Sequence, residues 1–268
     1  MARTLPPVFV SHGAPTILVD DDPGRHFLEQ LGQDLVAAHG RPDAIVCISA
    51  HFTSDNPRVG AAAAPEMIFD FYGFPAELYS RHYPARGDRA LAERIAALID
   101  AAGMPADIDP AQGLDHGAWV PLSLMFPAAD IPVVPLSIQP RLDPAHHRAL
   151  GAALAPLAGD NVLILGSGGA VHNVRDAMLR RHHRMPDPPD WAVAFDGWLA
   201  DHIEAGDVAA LDDYRARAPG ARCAQPQDDH LMPLYVALGA AGPGAVGRRL
   251  HGSFSYGSLS LSSWSFAA

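Results

Sequence analysis

The sequence predicts an α/β protein with a mainly parallel central sheet flanked by helices on both faces. Two patterns lead there. Short apolar runs rich in β-branched residues recur at P-P-V-F-V (6–10), A-I-V-C-I-S-A (44–50), I-P-V-V-P-L-S-I (131–138) and N-V-L-I-L-G (161–166). Runs of that length without polar alternation read as strands buried on both faces. Between them lie segments with apolar residues at helical spacing, and strand–helix alternation is the signature of a parallel sheet covered by helices.

In chain order, the first strand run ends in S-H-G-A-P, and Phe27, Leu28, Leu31 and Leu35 then mark one helix face. The second run closes as I-S-A-H-F, after which Leu91, Ile95, Leu98 and Ile99 mark another. The third strand run is followed by the face Leu150, Leu154, Leu157, and the fourth run leads into G-S-G-G-A-V-H-N (166–173). Residues 183–190, H-R-M-P-D-P-P-D, form the one long flexible connection, a surface loop or the margin of a lid. The tail F-S-Y-G-S-L-S-L-S-S-W-S-F (254–266) alternates serine with larger residues, and period two predicts a late edge strand.

Composition narrows the function class. With 268 residues the chain is expected to be a single catalytic domain, 1–268, and a chain of this size buries roughly 75% of its unfolded surface without a disulfide or structural metal. Nineteen Lys and Arg against 30 Asp and Glu leave a net charge of −11, which argues against a nucleic-acid partner. The short R-R-H-H-R at 180–184 reads as a solvated helix end. The start M-A-R-T-L-P-P has no apolar signal core, and no segment reaches the roughly 18 continuous apolar residues of a membrane span. Two cysteines, Cys47 and Cys223, fit a reduced compartment, read as the cytoplasm, and exclude a thiolate zinc site.

Fourteen histidines remain. His26, His39, His82, His146, His147, His182, His183, His202 and His251 sit among charged or small residues and read as solvated. His12, His51 and His172 differ, because each follows the carboxyl end of a predicted strand. Ligands of open parallel sheets bind at those ends, so three imidazoles would project from one sheet edge. His116 in L-D-H-G-A-W-V-P-L and His230 in D-D-H-L-M-P-L sit at loop-to-helix junctions, each preceded by an aspartate. Asp115 and Asp229 either hold these imidazoles or cap the helices. Other chemistries fit poorly: G-S-G-G-A-V lacks the third glycine of a dinucleotide fingerprint, and no G-x-S-x-G elbow, Walker A or H-E-x-x-H sequence is present.

The five motifs S-H-G-A-P, I-S-A-H-F, L-D-H-G-A-W-V-P-L, G-S-G-G-A-V-H-N and D-H-L-M-P-L, in this order, resemble the class III extradiol ring-cleaving dioxygenases, in their DODA-type (4,5-DOPA dioxygenase-like) branch. The resemblance runs from about residue 8 to the F-S-Y-G-S-L-S segment. It implies an α/β enzyme that opens a catechol ring with O2 to a semialdehyde, with one Fe(II) or Zn(II) per chain at the carboxyl ends of the strands. It implies His12, His51 and His230 as metal ligands. His172 would be the acid/base beside the metal and a candidate fourth ligand, and His116 a further catalytic histidine near substrate and oxygen. Three histidines depart from the usual two-histidine, one-carboxylate Fe(II) set and suit Zn(II) as well. Tyr256 and Trp119, with Tyr72 and Phe74, are candidates to line an aromatic substrate pocket or to pack in the core. The expected partners are a small catechol and O2, with no nucleic acid and no membrane; an oligomer is open. Two other readings stay in play: a zinc-dependent hydrolase with His172 or His116 activating water, and a non-enzymatic metal-binding protein on the same fold.

Overall fold

The computed structural model describes residues 4–268. Its strands are β1 (Val8–Ser11), β2 (Ala44–Thr53), β3 (Arg58–Gly60), β4 (Asp107–Asp109), β5 (Val133–Ile138), β6 (Val162–Gly168), β7 (Val246–His251), β8 (Phe254–Ser255), β9 (Leu259–Ser260) and β10 (Ser263–Ala267). The helices are α1 (Pro23–His39), α2 (Arg89–Ala101), α3 (His116–Met125), α4 (Pro144–Leu154), α5 (Val174–His183), α6 (Asp190–Glu204), the short α7 (Val208–Asp212), α8 (Tyr214–Arg217) and α9 (Ala221–Ala224), and α10 (Met232–Ala240).

One sheet runs β4-β3-β5-β2-β6-β1-β10-β7, while β8 and β9 pair apart from it. The middle pairs β5–β2, β2–β6 and β6–β1 are parallel, and β1–β10, β10–β7 and β3–β5 are antiparallel. All four predicted strand runs lie in that parallel middle. Their alternation divides two cores. Val8 and Val10, Ile45 and Cys47, and Leu163 and Leu165 pack against α1 and α3. Phe9, Val46, Ile48, Val162 and Ile164 face the other way, against α2, α4, α6 and α10. A run that is apolar at every position is what burial on both faces requires. Among the described residues no helix is long and apolar enough to cross a membrane.

Three expectations are corrected. The tail strand is not at an edge: β10 lies between β1 and β7, and β7 takes the edge. Alternation reports which face of a strand is apolar, with Trp264 and Phe266 buried in one core, and carries no information on whether both backbone edges are paired. His51 does not follow β2 but lies inside it, since pairing to β5 resumes at Thr53 after an irregularity beyond Ile48. The small and polar Ser49–Ala50 ended the apolar run without ending the strand.

His147 is not solvated. It is fully buried on α4, where Nε2 accepts the Gln139 N–H at 3.1 Å and Nδ1 donates to the Asp143 carbonyl at 2.9 Å. Burial lowers its pKa to about 4. A histidine kept neutral in the fold stabilises it fully above the unfolded value of about 6.5, and that stability is lost as pH falls from there toward 4. Urea unfolding should therefore show His147 contributing about 2 kcal/mol to the stability lost between pH 7 and pH 5. A His147→Leu chain should be less stable at pH 7, by about 1–3 kcal/mol for the unpaired Gln139 N–H, and less acid-sensitive. Equal acid sensitivity in the two chains would refute the assignment.

Candidate metal centre

The strand order explains how His12 and His51 meet. β6 lies between β1 and β2, so the two histidines can touch only across its end. That end is Gly166-Ser167-Gly168-Gly169, which carries no side chain large enough to separate them. His12 continues the β1–β6 pairing, its N–H donating to the Gly168 carbonyl at 3.0 Å. Gly168 is required for a second reason. The Gly169 N–H donates to the His230 carbonyl at 2.8 Å, and a β-carbon on Gly168 would collide with that same carbonyl. The G-S-G-G sequence thus docks the turn before α10 against the sheet edge. On the other side Gly117, in the first turn of α3, lets that helix approach β2, since a β-carbon there would strike Ser49 and His51.

Three ring nitrogens converge. His12 Nε2 lies 3.3 Å from His51 Nε2, which lies 3.2 Å from His230 Nε2. The opposite nitrogens fix the tautomers. Ser167 Oγ donates its one proton to the Gly117 carbonyl at 2.5 Å, so toward His12 Nδ1, 3.0 Å away, it can only accept. His230 Nδ1 faces Asp229 Oδ1 at 2.9 Å, and His51 Nδ1 faces Asp70 Oδ2 at 3.5 Å. Nδ1 of His12 and of His230 therefore carries the hydrogen and leaves Nε2 a bare lone pair, and the Asp70 carboxylate favours the same tautomer of His51. Burial holds His12 and His230 well below their ordinary pKa, reinforced by the surrounding histidines. Burial, then the charge of His116, brings His51 to about 3 against the opposing pull of Asp70. Three neutral imidazoles with facing lone pairs repel one another unless a cation sits between them. Two nitrogens about 2.0–2.1 Å from one tetrahedral ion lie about 3.3 Å apart, which is the spacing found. The residues fit a metal ion.

The other two motif histidines flank this triad. His172 stacks on His230, ring centroids 3.3 Å apart and planes 8° from parallel, with its N–H donating to the Ala224 carbonyl at 2.8 Å. Burial lowers its pKa to about 4. His116 opens α3 with its ring 3.9 Å from that of His51 and 5.4 Å from that of His12. The two aspartates divide: Asp115 caps α3, accepting from Ala118 N–H at 3.2 Å and Ser49 Oγ at 2.5 Å, whereas Asp229 holds the His230 ring.

Asp70 was not visible as a site residue in the sequence. Its Oδ1 accepts the His116 N–H at 3.0 Å and lies 2.9 Å from His116 Nδ1. Burial pushes its carboxyl up, but the hydrogen bonds and charge of His116 outweigh this and hold it at about 2. The one available signal was an acid inside an aromatic run, F-D-F-Y-G-F (69–74).

Of the two readings of Trp119, core packing fits its surroundings: it is fully buried, donates Nε1–H to the Ile68 carbonyl at 3.1 Å, and packs against Phe69 and Phe71. Phe71 in turn meets His116 edge-on, centroids 5.7 Å apart, and Phe74 packs on Phe71. Tyr72 is 91% exposed. Tyr256 lies in an open cleft of about 480 Å3 shared with Asp20, Arg180, Arg181 and Arg184. Its hydroxyl donates to Asp20 Oδ2 at 3.0 Å, and the Arg181 guanidinium sits 4.7 Å above its ring.

Residues 6–263 match the family model of the catalytic LigB subunit of aromatic ring-opening dioxygenase. The chain is 42% identical over 262 residues to a 4,5-DOPA dioxygenase extradiol of Beta vulgaris, covering 97% of this chain and 96% of that one. It is 40% identical over 263 residues to the protein of that name from Portulaca grandiflora (97% and 95% covered), and 36% identical over 240 residues to the one from Escherichia coli K12 (88% and 85%). A crystal structure of an uncharacterized protein from Escherichia coli K12 superposes with a TM-score of 0.80 at 30% identity, covering 98% of this chain and all of that one.

Because Gly168 has no room for a side chain beside the His230 carbonyl, Gly168→Ala should move His230 and spread the triad. Unfolding should show a loss of about 1–3 kcal/mol, the usual cost of overpacking, together with weaker metal retention on dialysis. Wild-type retention in a folded variant would show that the close approach is not needed.

Proposed function

The chain belongs to the family of catalytic LigB subunits of aromatic ring-opening dioxygenases, and from that premise we propose that it acts as one catalytic domain opening a catechol to a semialdehyde with O2. The observation that carries this reading is the convergence of three bare Nε2 atoms, flanked by two further histidines, at one sheet edge. His12, His51 and His230 would hold one metal ion, Fe(II) for turnover and Zn(II) as a resting alternative. When bound, the ion supplies Lewis acidity that lowers the pKa of a catechol hydroxyl, and Fe(II) adds the redox capacity that O2 chemistry needs.

A phenol's pKa is about 10, so a catechol must release protons near neutral pH and the chain must receive them. His116 is placed to do so, because the Asp70 carboxylate 2.9 Å from its Nδ1 faces the charge it would acquire. His172, kept neutral by burial, is the second proton carrier, close enough to the triad to hydrogen-bond a bound oxygen atom or to serve as a fourth ligand. Since relatives bear the name 4,5-DOPA dioxygenase, DOPA is the first catechol to test. The free thiols Cys47 and Cys223 support residence in a reducing compartment, the cytoplasm.

Metal-stripped protein reloaded anaerobically with Fe(II) should consume O2 in step with DOPA or another catechol and give a yellow ring-opened product, whereas the Zn(II)-loaded protein should not. Ester or amide turnover indifferent to O2 would establish the hydrolase instead, and inertness toward a broad catechol panel would remove the enzymatic reading of this chain. Metal analysis should find His12→Ala, His51→Ala and His230→Ala each stripped of most metal; near-stoichiometric metal in all three would defeat the ligand assignment. His172→Ala should keep much of its metal while losing about 10²- to 10⁴-fold in turnover, the usual worth of acid–base catalysis. If it loses metal as completely as His12→Ala, His172 is a ligand and the proton role rests on His116.

A further inference from the structure

Asp70 touches two histidines of different purpose. Its Oδ1 lies 2.9 Å from His116 Nδ1 and accepts the His116 N–H at 3.0 Å, while its Oδ2 lies 3.5 Å from His51 Nδ1. We propose that Asp70 is a positioning residue that sets the orientation and tautomer of His51 and His116 together, so that both rings turn a bare Nε2 toward the metal position. This inference rests on the metal reading given above.

An ionised carboxylate can only accept, so its negative charge beside both rings favours Nδ1–H on each. The two ring centroids lie 3.9 Å apart with their planes tilted by 46°, and one carboxylate reaches both. The loop that delivers it is anchored short of the tip. Ile68 N–H donates to the Leu114 carbonyl at 2.7 Å, Leu114 N–H to the Glu66 carbonyl at 2.8 Å, and Trp119 Nε1–H to the Ile68 carbonyl at 3.1 Å. The buried Trp119 therefore has a role after all, as the post against which the Asp70 loop is fixed. Beyond that anchor the loop faces water: the Asp70 side chain is 25% exposed. A small carboxylate from solution can reach the place it occupies.

An amide in its place cannot reproduce the pattern. Asparagine would offer one acceptor oxygen and an NH2 group, so either His51 or His116 would meet a donor where it needs an acceptor. Removal of such a carboxylate partner typically costs 10- to 100-fold in metal affinity.

The test uses the full-length metal-stripped chain titrated with Co(II), read by calorimetry and by the visible spectrum. Asp70→Asn and Asp70→Ala should bind Co(II) about 10- to 100-fold more weakly than wild type, while the metal-free chains still unfold cooperatively in urea. Acetate or formate should restore affinity to Asp70→Ala and do nothing for wild type or for His51→Ala. Co(II) binding within twofold of wild type and with the same spectrum in both variants would overturn the proposal. A loss that neither anion restores, accompanied by lower stability of the metal-free chain, would make Asp70 a purely structural residue and overturn it as well. If wild type itself fails to bind Co(II), the metal reading falls and this inference with it.

Discussion

Three imidazole nitrogens stand in successive contacts of 3.3 and 3.2 Å, and most of the structure around them serves to make that arrangement tolerable. Left to itself, an imidazole in such a cluster would flip or take up a proton. Ser167 and Asp229 oppose the flip by accepting at Nδ1 of His12 and His230, the Asp70 carboxylate faces Nδ1 of His51, and burial opposes the protonation. The repulsion that remains would favour a cation at this place, because a preorganised set of lone pairs has no reorganisation left to do when an ion arrives.

The demand for those acceptors propagates outward. Ser167 can accept from His12 only because Gly117 takes its proton, and Gly117 can sit there only because it has no side chain to strike Ser49 and His51. Gly168 is small because His230 must come close. Residues that look like flexible punctuation in the sequence are packing residues in the fold, each clearing room for a specific neighbour.

Much of this was legible beforehand. His12 and His172 announce themselves by following apolar strand runs, and the parallel sheet makes those ends coincide. His116 and His230 stood out through their aspartates, although pattern alone could not say that one aspartate caps a helix and the other holds a ring. What stayed hidden shares a cause. Asp70 lies in a segment with no period of two or 3.6, so no rule of spacing assigns its side chain a direction. His147 shares the buried face of α4 with Leu150 and Leu154, but a polar side chain at that spacing gives no apolar signal, and its partner Gln139 is not announced by the helix pattern. The place of β10 between β1 and β7 is a fact of pairing, to which the sequence of β10 alone is silent.

That last feature bears on how the protein is made. β1 uses one edge to pair with β6 and the other to pair with β10, its partners being residues 162–168 and 263–267. During synthesis β1 must therefore wait for β6 until well past the middle of the chain, and its other edge, at Val8 and Phe9, stays open until the last strand is made, at about 5–20 residues per second. An apolar strand with open edges is a template for aggregation over that interval. A bound metal would offer no early help, since His230, proposed as its third ligand, emerges late as well. Nascent protein of this kind is a natural client for a chaperone, and its yield on expression should be limited by the speed with which the last strand is inserted.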